Sequence, residues 1–398
     1  MYKKTIEKMD DLIKGKYKNV WIYGAGKIGR KLINTFNFLN INIKGVVISQ
    51  NDGTLIPNIP IYELPKVTSS LEDTLFVVTA SKNYHNEIIE NIETHGFSNY
   101  IIWDKHCMCK LWRCAEHYFI DRRKHNSRCC FVLAGYKEYL WNDIFERLVR
   151  FIPKDVDVCI MSSGVYCDKL EKIARKNGWS YLSTTINSVT LVQNVAFSIY
   201  ENYKWIYKID EDIFTTNNAF EKLFVNYHYI KNTTHYEPGI VVPLIPVNGY
   251  GYNRILSKVG KMNEFESRFG QAIIGGNPDS EIEKNPEAAI FMWRECPQID
   301  QLNRLMEKEN KLDLCGVRFS IGFIFMAHSL WGDMQGFTVT GNADMGMDEE
   351  ELCAHCINTS KAIIVSKNTV VGHFAFSKQT SCMKRLYFEN PDWFKIMN

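Results

Sequence analysis

Hydrophobic and polar positions along the first hundred residues follow a pattern typical of short buried strands separated by amphipathic helices. An amphipathic helix is predicted over residues 1–15. Apolar runs that predict strands lie at residues 19–23, 43–48, 75–79 and 100–103. Because strands that alternate with helices form parallel sheets, residues 1–104 are predicted to form a small α/β domain.

The same alternation starts again at residue 128. Strands are predicted at residues 128–134, 156–161, 179–182 and 205–210, and helices at 139–151, 167–177 and 192–203. The restart predicts a second α/β domain over residues 128–398, joined to the first by a helical, cysteine-bearing connector over 105–127. A polar stretch at about 253–310 has a helical pattern and is interpreted as an insertion over the active face.

Composition narrows the class of protein. The chain has 398 residues, 45% of them hydrophobic, and a formal net charge of +2. That charge gives no reason to expect nucleic-acid binding. No apolar run approaches the roughly 18 residues that span a bilayer, and the polar start is unlike a signal peptide. We therefore expect a cytoplasmic protein, and leave open peripheral contact with the inner membrane surface and a homo-oligomer.

The segment Trp-Ile-Tyr-Lys-Ile-Asp-Glu-Asp-Ile-Phe at residues 205–214 is the most informative of the chain. It is predicted as an apolar strand that stops at Asp210 and Asp212. Side chains at positions i and i+2 of an extended backbone point the same way, so these two carboxylates are expected to converge. Carboxylate oxygens are ligands for a hard divalent cation. A cation bound to a diphosphate suggests chemistry on an activated phosphate ester such as a nucleotide sugar.

Three further features follow this acidic pair in a fixed order. A predicted strand at residues 319–326 contains Gly322, which would allow close approach of another group. An acidic cluster with Asp348 and Glu349 opens a predicted helix. A lone histidine, His373, follows an apolar strand at 362–365.

This order of motifs over residues 128–380 resembles the GT-A glycosyltransferases, especially the large inverting family that includes many bacterial polysaccharide synthases. The resemblance implies an α/β GT-A domain, a UDP-sugar or other nucleotide-sugar donor, a saccharide or lipid-linked glycan acceptor, and Mn²⁺ or Mg²⁺. It places the metal ligands at Asp210, Asp212 and His373 and the general base at Asp348 or Glu349. Donor contacts would come from Ala134, Gly135, Tyr136, Ser162, Asn194, Asp210 and Gly322.

The chemistry of glycosyl transfer requires the same groups. A Lewis acid must neutralise the departing diphosphate, and a base must reach the acceptor hydroxyl. Three alternatives remain open. They are a sugar nucleotidyltransferase, which also uses paired carboxylates and a cation, a non-catalytic nucleotide-sugar-binding assembly protein, and a nicotinamide oxidoreductase, which would require NAD(H) binding. The chain departs from the family pattern at Ser162, where an acidic residue often grips the base, and at Glu349, where an aspartate is usual.

The first domain carries a glycine turn, Gly24-x-Gly26-x-x-Gly29, between a predicted strand and a helix. Glycines at these positions let a phosphate approach a helix N-terminus. The turn and its context resemble the small Rossmann-like domains attached to bacterial sugar acetyltransferases and capsule-biosynthesis proteins. The resemblance implies either nucleotide binding or a role in assembly.

Cysteines and histidines gather in the connector at residues 106–117. They include enough soft ligands for zinc, but their spacing lacks paired Cys-x-x-Cys modules. Reduced thiols are the preferred interpretation, and a zinc site stays open.

Overall fold

The structure is a computed structural model that describes residues 2–50, 53, 55–273, 275, 280–309, 312–315, 319, 322–341 and 346–397. The chain divides into two compact units. Unit 1 comprises Met1–His117, Thr184–Glu201 and Trp331–Met345, and unit 2 comprises Tyr118–Ser183, Asn202–Leu330 and Gly346–Asn398. Two segments that the sequence analysis assigned to the second domain therefore belong to unit 1.

The strands are, in chain order, β1 (Asn19–Tyr23), β2 (Gly45–Ile48), β3 (Ile61–Glu63), β4 (Thr74–Val78), β5 (Tyr100–Ile102), β6 (His117–Ile120), β7 (Arg128–Leu133), β8 (Val156–Ser163), β9 (Ser180–Thr184), β10 (Trp205–Asp210), β11 (Ile213–Phe214), β12 (Glu237–Leu244), β13 (Leu312–Cys315), β14 (Phe323–Ala327), β15 (Lys361–Val370) and β16 (Gly372–His373).

The α-helices are α1 (Tyr2–Ile13), α2 (Lys27–Phe38), α3 (His85–Thr94), α4 (Lys105–Trp112), α5 (Trp141–Phe151), α6 (Asp168–Lys176), α7 (Val189–Ile199), α8 (Ala219–Thr233), α9 (Tyr252–Val259), α10 (Met262–Phe269), α11 (Glu281–Lys284), α12 (Pro286–Glu295), α13 (Ile299–Met306), α14 (His328–Asp333), α15 (Met347–Asn358) and α16 (Thr380–Glu389). Among the described residues, none of these helices has the length and apolar character needed to cross a membrane.

Unit 1 is built on a five-stranded sheet in the order β3-β2-β1-β4-β5, and its strand pairs are parallel. Alternate residues of β1 enter different cores: Val20 and Ile22 join one apolar cluster, and Trp21 and Tyr23 join another. Both faces of the sheet are therefore covered, as expected when helices connect parallel strands.

Unit 2 is built on a sheet whose described strands run in the order β13-β15-β12-β14-β10-β7-β8-β9-β6. Strand β7 lies between β8 and β10 and is parallel to both. The chain moves outward from β7 to β8 and β9 and then returns to β10 on the other side. The carboxyl ends of β7 and β10 therefore form a topological switch point, which is where open α/β sheets bind ligands.

The predicted α/β class is confirmed, but several strands were not predicted. Strand β12 contains Pro238, Gly239 and Pro243, residues that argue against a strand, and its pairing with β15 is irregular at Pro238 and Pro243. The connector was predicted to be helical, which is wrong for β6.

Candidate active site

The acidic motif ends β10 with a turn. The i and i+2 argument for Asp210 and Asp212 is wrong in its geometry, because Glu211 and Asp212 lie in that turn and not in extended strand. The i and i+2 relation holds instead for the preceding pair of residues within β10. Lys208 and Asp210 are both on β10, two residues apart, so their side chains share one face of the sheet.

Lys208 joins two carboxylates that are far apart in the sequence. Its Nζ lies 2.6 Å from Asp210 Oδ1 and 3.7 Å from Asp348 Oδ2. The Lys208 side chain is 3% exposed and that of Asp348 is 6% exposed. The structure thus brings the predicted base region at the start of α15 to the end of β10.

Opposing effects set the pKa values of this pair. Burial lowers the pKa of Lys208, but the charges of Asp210 and Asp348 outweigh burial and hold that pKa above its ordinary value. Burial raises the pKa of Asp210 to about 6, with a further contribution from the charge of Asp212, although Lys208 opposes the rise. Lys208 is therefore a buried cation and Asp210 a carboxylate that is costly to ionise.

Asp212 meets His373 because β11 and β16 pair. Ile213 is opposite His373 in that antiparallel pair, and Phe374 N–H donates to the Asp212 carbonyl oxygen at 3.0 Å. Asp212 Oδ2 lies 3.5 Å from His373 Nε2, with both side chains buried. The structure therefore brings these two predicted ligands together.

Lys137 is the second partner of Asp212. Its ammonium group donates to Oδ2, the same oxygen that faces His373. Burial raises the pKa of Asp212, but the Lys137 charge and the interaction with His373 reverse that effect and hold the pKa below its ordinary value. Burial lowers the pKa of Lys137, and Asp212 raises it above its ordinary value. Both partners are therefore charged at neutral pH.

Glu211 holds the loop that carries Lys137. Its carboxylate accepts hydrogen bonds from Gly135 N–H at 2.9 Å, from Tyr136 N–H at 2.9 Å and from Trp141 Nε1–H at 2.7 Å. These donors flank Lys137 in the sequence. Since Glu211 and Asp212 are adjacent, the same turn accepts the hydrogen bonds that hold this loop and pairs with the side chain of Lys137.

Replacing Glu211 with glutamine is expected to lower the free energy of unfolding by about 2 kcal/mol, because an amide NH₂ would then face donors that now bond to a carboxylate. Urea unfolding would measure the change, with Glu146→Gln on the exposed face of α5 as the matched control. A loss no greater than that of the control would contradict a clamping role.

The remaining predicted donor contacts from β7 and β8 differ in exposure. Ala134 is 3% exposed and its N–H donates to the Met161 carbonyl at 2.8 Å. Tyr136 is 67% exposed. Ser162 is fully buried, and its hydroxyl lies 2.8 Å from the Val165 carbonyl and 2.7 Å from the Tyr181 hydroxyl. Gly135 and Tyr136 thus offer accessible surface at the switch point, whereas Ser162 is engaged within the fold.

Gly322 lies directly against the acidic motif. Asp210 N–H donates to the Gly322 carbonyl at 2.8 Å. A Cβ at position 322 would come within 2.9 Å of Ile213 Cδ1 and 3.6 Å of Asp210 Oδ2. Glycine therefore permits this approach, because a side chain there would displace Ile213.

Asn194 is part of unit 1 and is fully buried on α7. Its Oδ1 accepts from Trp331 Nε1–H at 2.9 Å and from Phe337 N–H at 2.8 Å, and its Nδ2–H donates to the Phe337 carbonyl at 2.8 Å. The amide therefore anchors the segment that begins at Trp331 to α7. Its role in donor binding stays a prediction.

The fit of a divalent cation depends on Asp212 and His373. Within the ranges that the structure describes, no group of three or more His, Cys, Asp or Glu side chains is arranged to hold a metal. Two ligands nevertheless converge here, and among the residues that the structure describes the buried Nδ1 of His373 has no hydrogen-bond partner. Mg²⁺ and Mn²⁺ in nucleotide sites take few protein ligands and complete their shell with phosphate oxygens and water. The pair fits a cation that is shared with a bound diphosphate, whereas Asp210 is engaged by Lys208.

The glycine turn of unit 1 gives each glycine a different environment. Gly24 has φ +118° and packs against Thr79, and a Cβ on Gly29 would come within 2.1 Å of the Gly24 carbonyl. Among the described residues, a Cβ on Gly26 would meet no atom within 4 Å, and no side chain caps the N-terminus of α2. The first and third glycines are thus required by packing, whereas the second has open space around it at a helix N-terminus, as far as the described residues extend.

Replacing Gly29 with alanine is expected to destabilise unit 1 by about 3 kcal/mol, since helix α2 must move away from the turn. Gly26→Ala is the matched control and should change stability by less than about 1 kcal/mol. Hydrogen exchange of the β1 amides would measure both. Equal protection in the two variants would contradict the packing role of Gly29.

The cysteine-bearing connector forms α4 and then β6. Cys107 and Cys109 are buried on α4, and burial raises the pKa of each thiol to about 12. These thiols are therefore protonated at neutral pH and behave as core side chains.

No protein-family model matches this chain, and no curated protein matches it. Among solved structures, glucosyl-3-phosphoglycerate synthase from Mycobacterium tuberculosis, in complex with Mn²⁺, UDP and glucosyl-3-phosphoglycerate, matches 70% of this chain and 83% of its own chain. Its identity is 10% and its TM-score 0.33. The same synthase with Mn²⁺, UDP-glucose and glycerol 3-phosphate has 10% identity, the same coverage and a TM-score of 0.34.

A structure of S. aureus TarS (1–349) is similar over 65% of this chain and 63% of that chain, with 14% identity and a TM-score of 0.35. With TM-scores below 0.5, these likenesses assign neither an activity nor a ligand to this chain. Its function must be inferred from the residues at the carboxyl ends of β7 and β10.

Proposed function

We propose that this chain is a divalent-cation-dependent glycosyltransferase of the GT-A type. It would move a sugar from a nucleotide-sugar donor, such as a UDP-sugar, to a hydroxyl of a saccharide or lipid-linked glycan in surface polysaccharide synthesis. The observation that carries the proposal is the meeting of Asp212 and His373 at the switch point, beside the Lys208–Asp348 pair. Two protein ligands leave most of a cation's coordination positions for the phosphate oxygens of a diphosphate donor, and a buried carboxylate lies beside them.

The residues have separate roles in the proposed reaction. Asp212 and His373 would hold Mn²⁺ or Mg²⁺, which when bound supplies Lewis-acid neutralisation of the diphosphate. The loop at Gly135 and Tyr136 would contact the nucleotide. Asp348 would accept the proton of the acceptor hydroxyl, and direct attack would invert the anomeric centre.

Asp348 is preferred over Glu349 as the base because Lys208 fixes its position beside Asp210. We expect Asp348→Asn to lower kcat by about 10²- to 10⁴-fold with little change in the donor KM. Glu349→Gln, which alters the next residue of α15, should lower kcat by less than about tenfold. The reverse order of the two variants would assign the base to Glu349.

Thermal unfolding with a panel of nucleotide sugars tests the function. At least one nucleoside diphosphate sugar should stabilise the protein in Mn²⁺, by about 2.7 kcal/mol at a hundred times its Kd, and this effect should vanish in EDTA. Radiolabelled donor and a mixture of glycan acceptors would then report transfer. Release of pyrophosphate from a nucleoside triphosphate and a sugar phosphate would favour a nucleotidyltransferase. Nucleotide-sugar binding without hydrolysis or transfer would favour an assembly protein.

For unit 1 we propose that the glycine turn binds the phosphate of a second nucleotide. In the part of the chain that the structure describes, open space at Gly26 and a start of α2 that no side chain caps support this proposal. Calorimetry should then give two nucleotides per chain, of which only the one in unit 2 requires the cation. A single cation-dependent site would leave unit 1 with the assembly role.

A further inference from the structure

Two basic side chains, those of His373 and Lys137, lie against the same carboxylate oxygen of Asp212. Its Oδ2 is the atom through which it faces His373, and the same atom accepts the ammonium group of Lys137. A divalent cation that bound to Asp212 through this oxygen, beside His373, would have to share it with that ammonium or displace it. Lys137 is therefore placed to affect cation binding before any donor is present.

Lys137 is held at this point by the fold. Glu211 clamps Gly135 and Tyr136 on one side of it and Trp141 on the other. Its side chain is 26% exposed, while that of Asp212 is only 3% exposed. The Lys137 side chain is thus partly open to solvent, and we expect an incoming anion to reach it from there.

A diphosphate would change the balance of charges. Without it, a divalent cation that displaces Lys137 removes the ammonium group from its closest carboxylate, that of Asp212. With it, the phosphate oxygens offer that ammonium a partner, and they also complete the shell of the cation. Binding of cation and diphosphate should therefore be coupled, and the coupling is reciprocal.

We propose that Lys137 is an internal counter-ion that occupies Asp212 until donor and cation bind together. This proposal rests on the proposed function and adds a binding order to it: the cation alone binds weakly, and the diphosphate raises its affinity. Lys137 is a positioning residue here, because it acts through Asp212 and the donor phosphates.

Measurement of Mn²⁺ affinity tests this inference without an activity assay. The electron paramagnetic resonance signal of free Mn²⁺ would be titrated with protein, with and without UDP. Lys137→Met should bind Mn²⁺ alone about fivefold more tightly than the unsubstituted protein, and UDP should then raise that affinity by a smaller factor. Lys137→Arg, which keeps the charge, should remain closer to the unsubstituted protein.

Lys172→Met is the matched control, because it removes one positive charge from an exposed position on α6. Unchanged or weaker Mn²⁺ binding by Lys137→Met in the absence of UDP would overturn the inference while leaving the proposed function intact. If the unsubstituted protein binds no Mn²⁺, whichever nucleotide sugar of the panel is present, both the inference on Lys137 and the proposed function would be overturned. Thermal unfolding of each variant would verify that it is folded.

Discussion

Replacing Asp212 with asparagine is expected to abolish cation-dependent binding of the nucleotide sugar and to lower kcat/KM for transfer by about a thousandfold or more. Asparagine has nearly the same shape but lacks the negative charge that pairs with Lys137 and lies beside His373. A cation would then have only an amide oxygen and an imidazole as protein ligands. Calorimetry with Mn²⁺ and UDP, together with a transfer assay, would measure both losses.

Asp168→Asn provides the control, since it removes one negative charge from an exposed position at the start of α6. The Asp212 variant should remain folded, although its stability is predicted to be lower above about pH 4. The reason is that a carboxyl whose pKa is below its ordinary value stabilises the fold once ionised, and that contribution is lost only as the pH falls toward the lower pKa. Full transfer activity in a folded Asp212→Asn protein would refute the assignment of Asp212.

Replacing Lys208 with methionine is expected to lower the free energy of unfolding by about 3 kcal/mol at pH 8. Methionine fills a similar volume, but the buried carboxylate of Asp348 and that of Asp210 lose their shared cation. Adding Asp210→Asn to this variant should recover at least about 1 kcal/mol, because one uncompensated charge is then removed. Urea unfolding of the single and double variants would measure these values.

The pH dependence of the Lys208 variant has a definite sign. The pKa of Asp210 is raised to about 6, so between about pH 4 and 6 the folded protein holds a proton that the unfolded chain releases. Stability from this group therefore falls as pH rises through that window. Without Lys208 the pKa of Asp210 rises further, so stability continues to fall above about pH 6. The loss of unfolding free energy in the variant, relative to the unsubstituted protein, should therefore be larger at pH 8 than at pH 5. A deficit that is equal at both pH values, or as small as that of Lys172→Met, would contradict a buried ion-pair role.

The sequence was sufficient to predict the alternating α/β pattern and the end of β10 at Asp210. These features depend on local periodicity, which a strand imposes on its own residues. The ion pair of Lys208 and Asp210 follows from the same period of two and could have been predicted. Proximity of His373 to Asp212 was expected only through resemblance, because the pairing of β11 with β16 joins residues about 160 positions apart.

Other parts of the site carry no local signal. In the sequence, Glu211 cannot be distinguished from a solvated acidic residue in a turn. Only the folded position of the loop after β7 shows that its carboxylate accepts hydrogen bonds from the backbone N–H groups of Gly135 and Tyr136. Lys137 becomes notable only when that loop is folded over Asp212. The assignment of Thr184–Glu201 and Trp331–Met345 to unit 1 likewise depends on tertiary contacts, including the hydrogen bonds of Asn194.

We propose that one carboxylate and one imidazole hold the cation that binds the donor diphosphate. Anomalous diffraction from crystals soaked with Mn²⁺ and UDP would locate that cation directly. We expect a single strong peak in unit 2, within about 2.5 Å of both an oxygen of Asp212 and a nitrogen of His373, with Lys137 moved from Asp212 to a phosphate. UDP bound at the switch point with Mn²⁺ elsewhere, or with Lys137 still on Asp212, would contradict it.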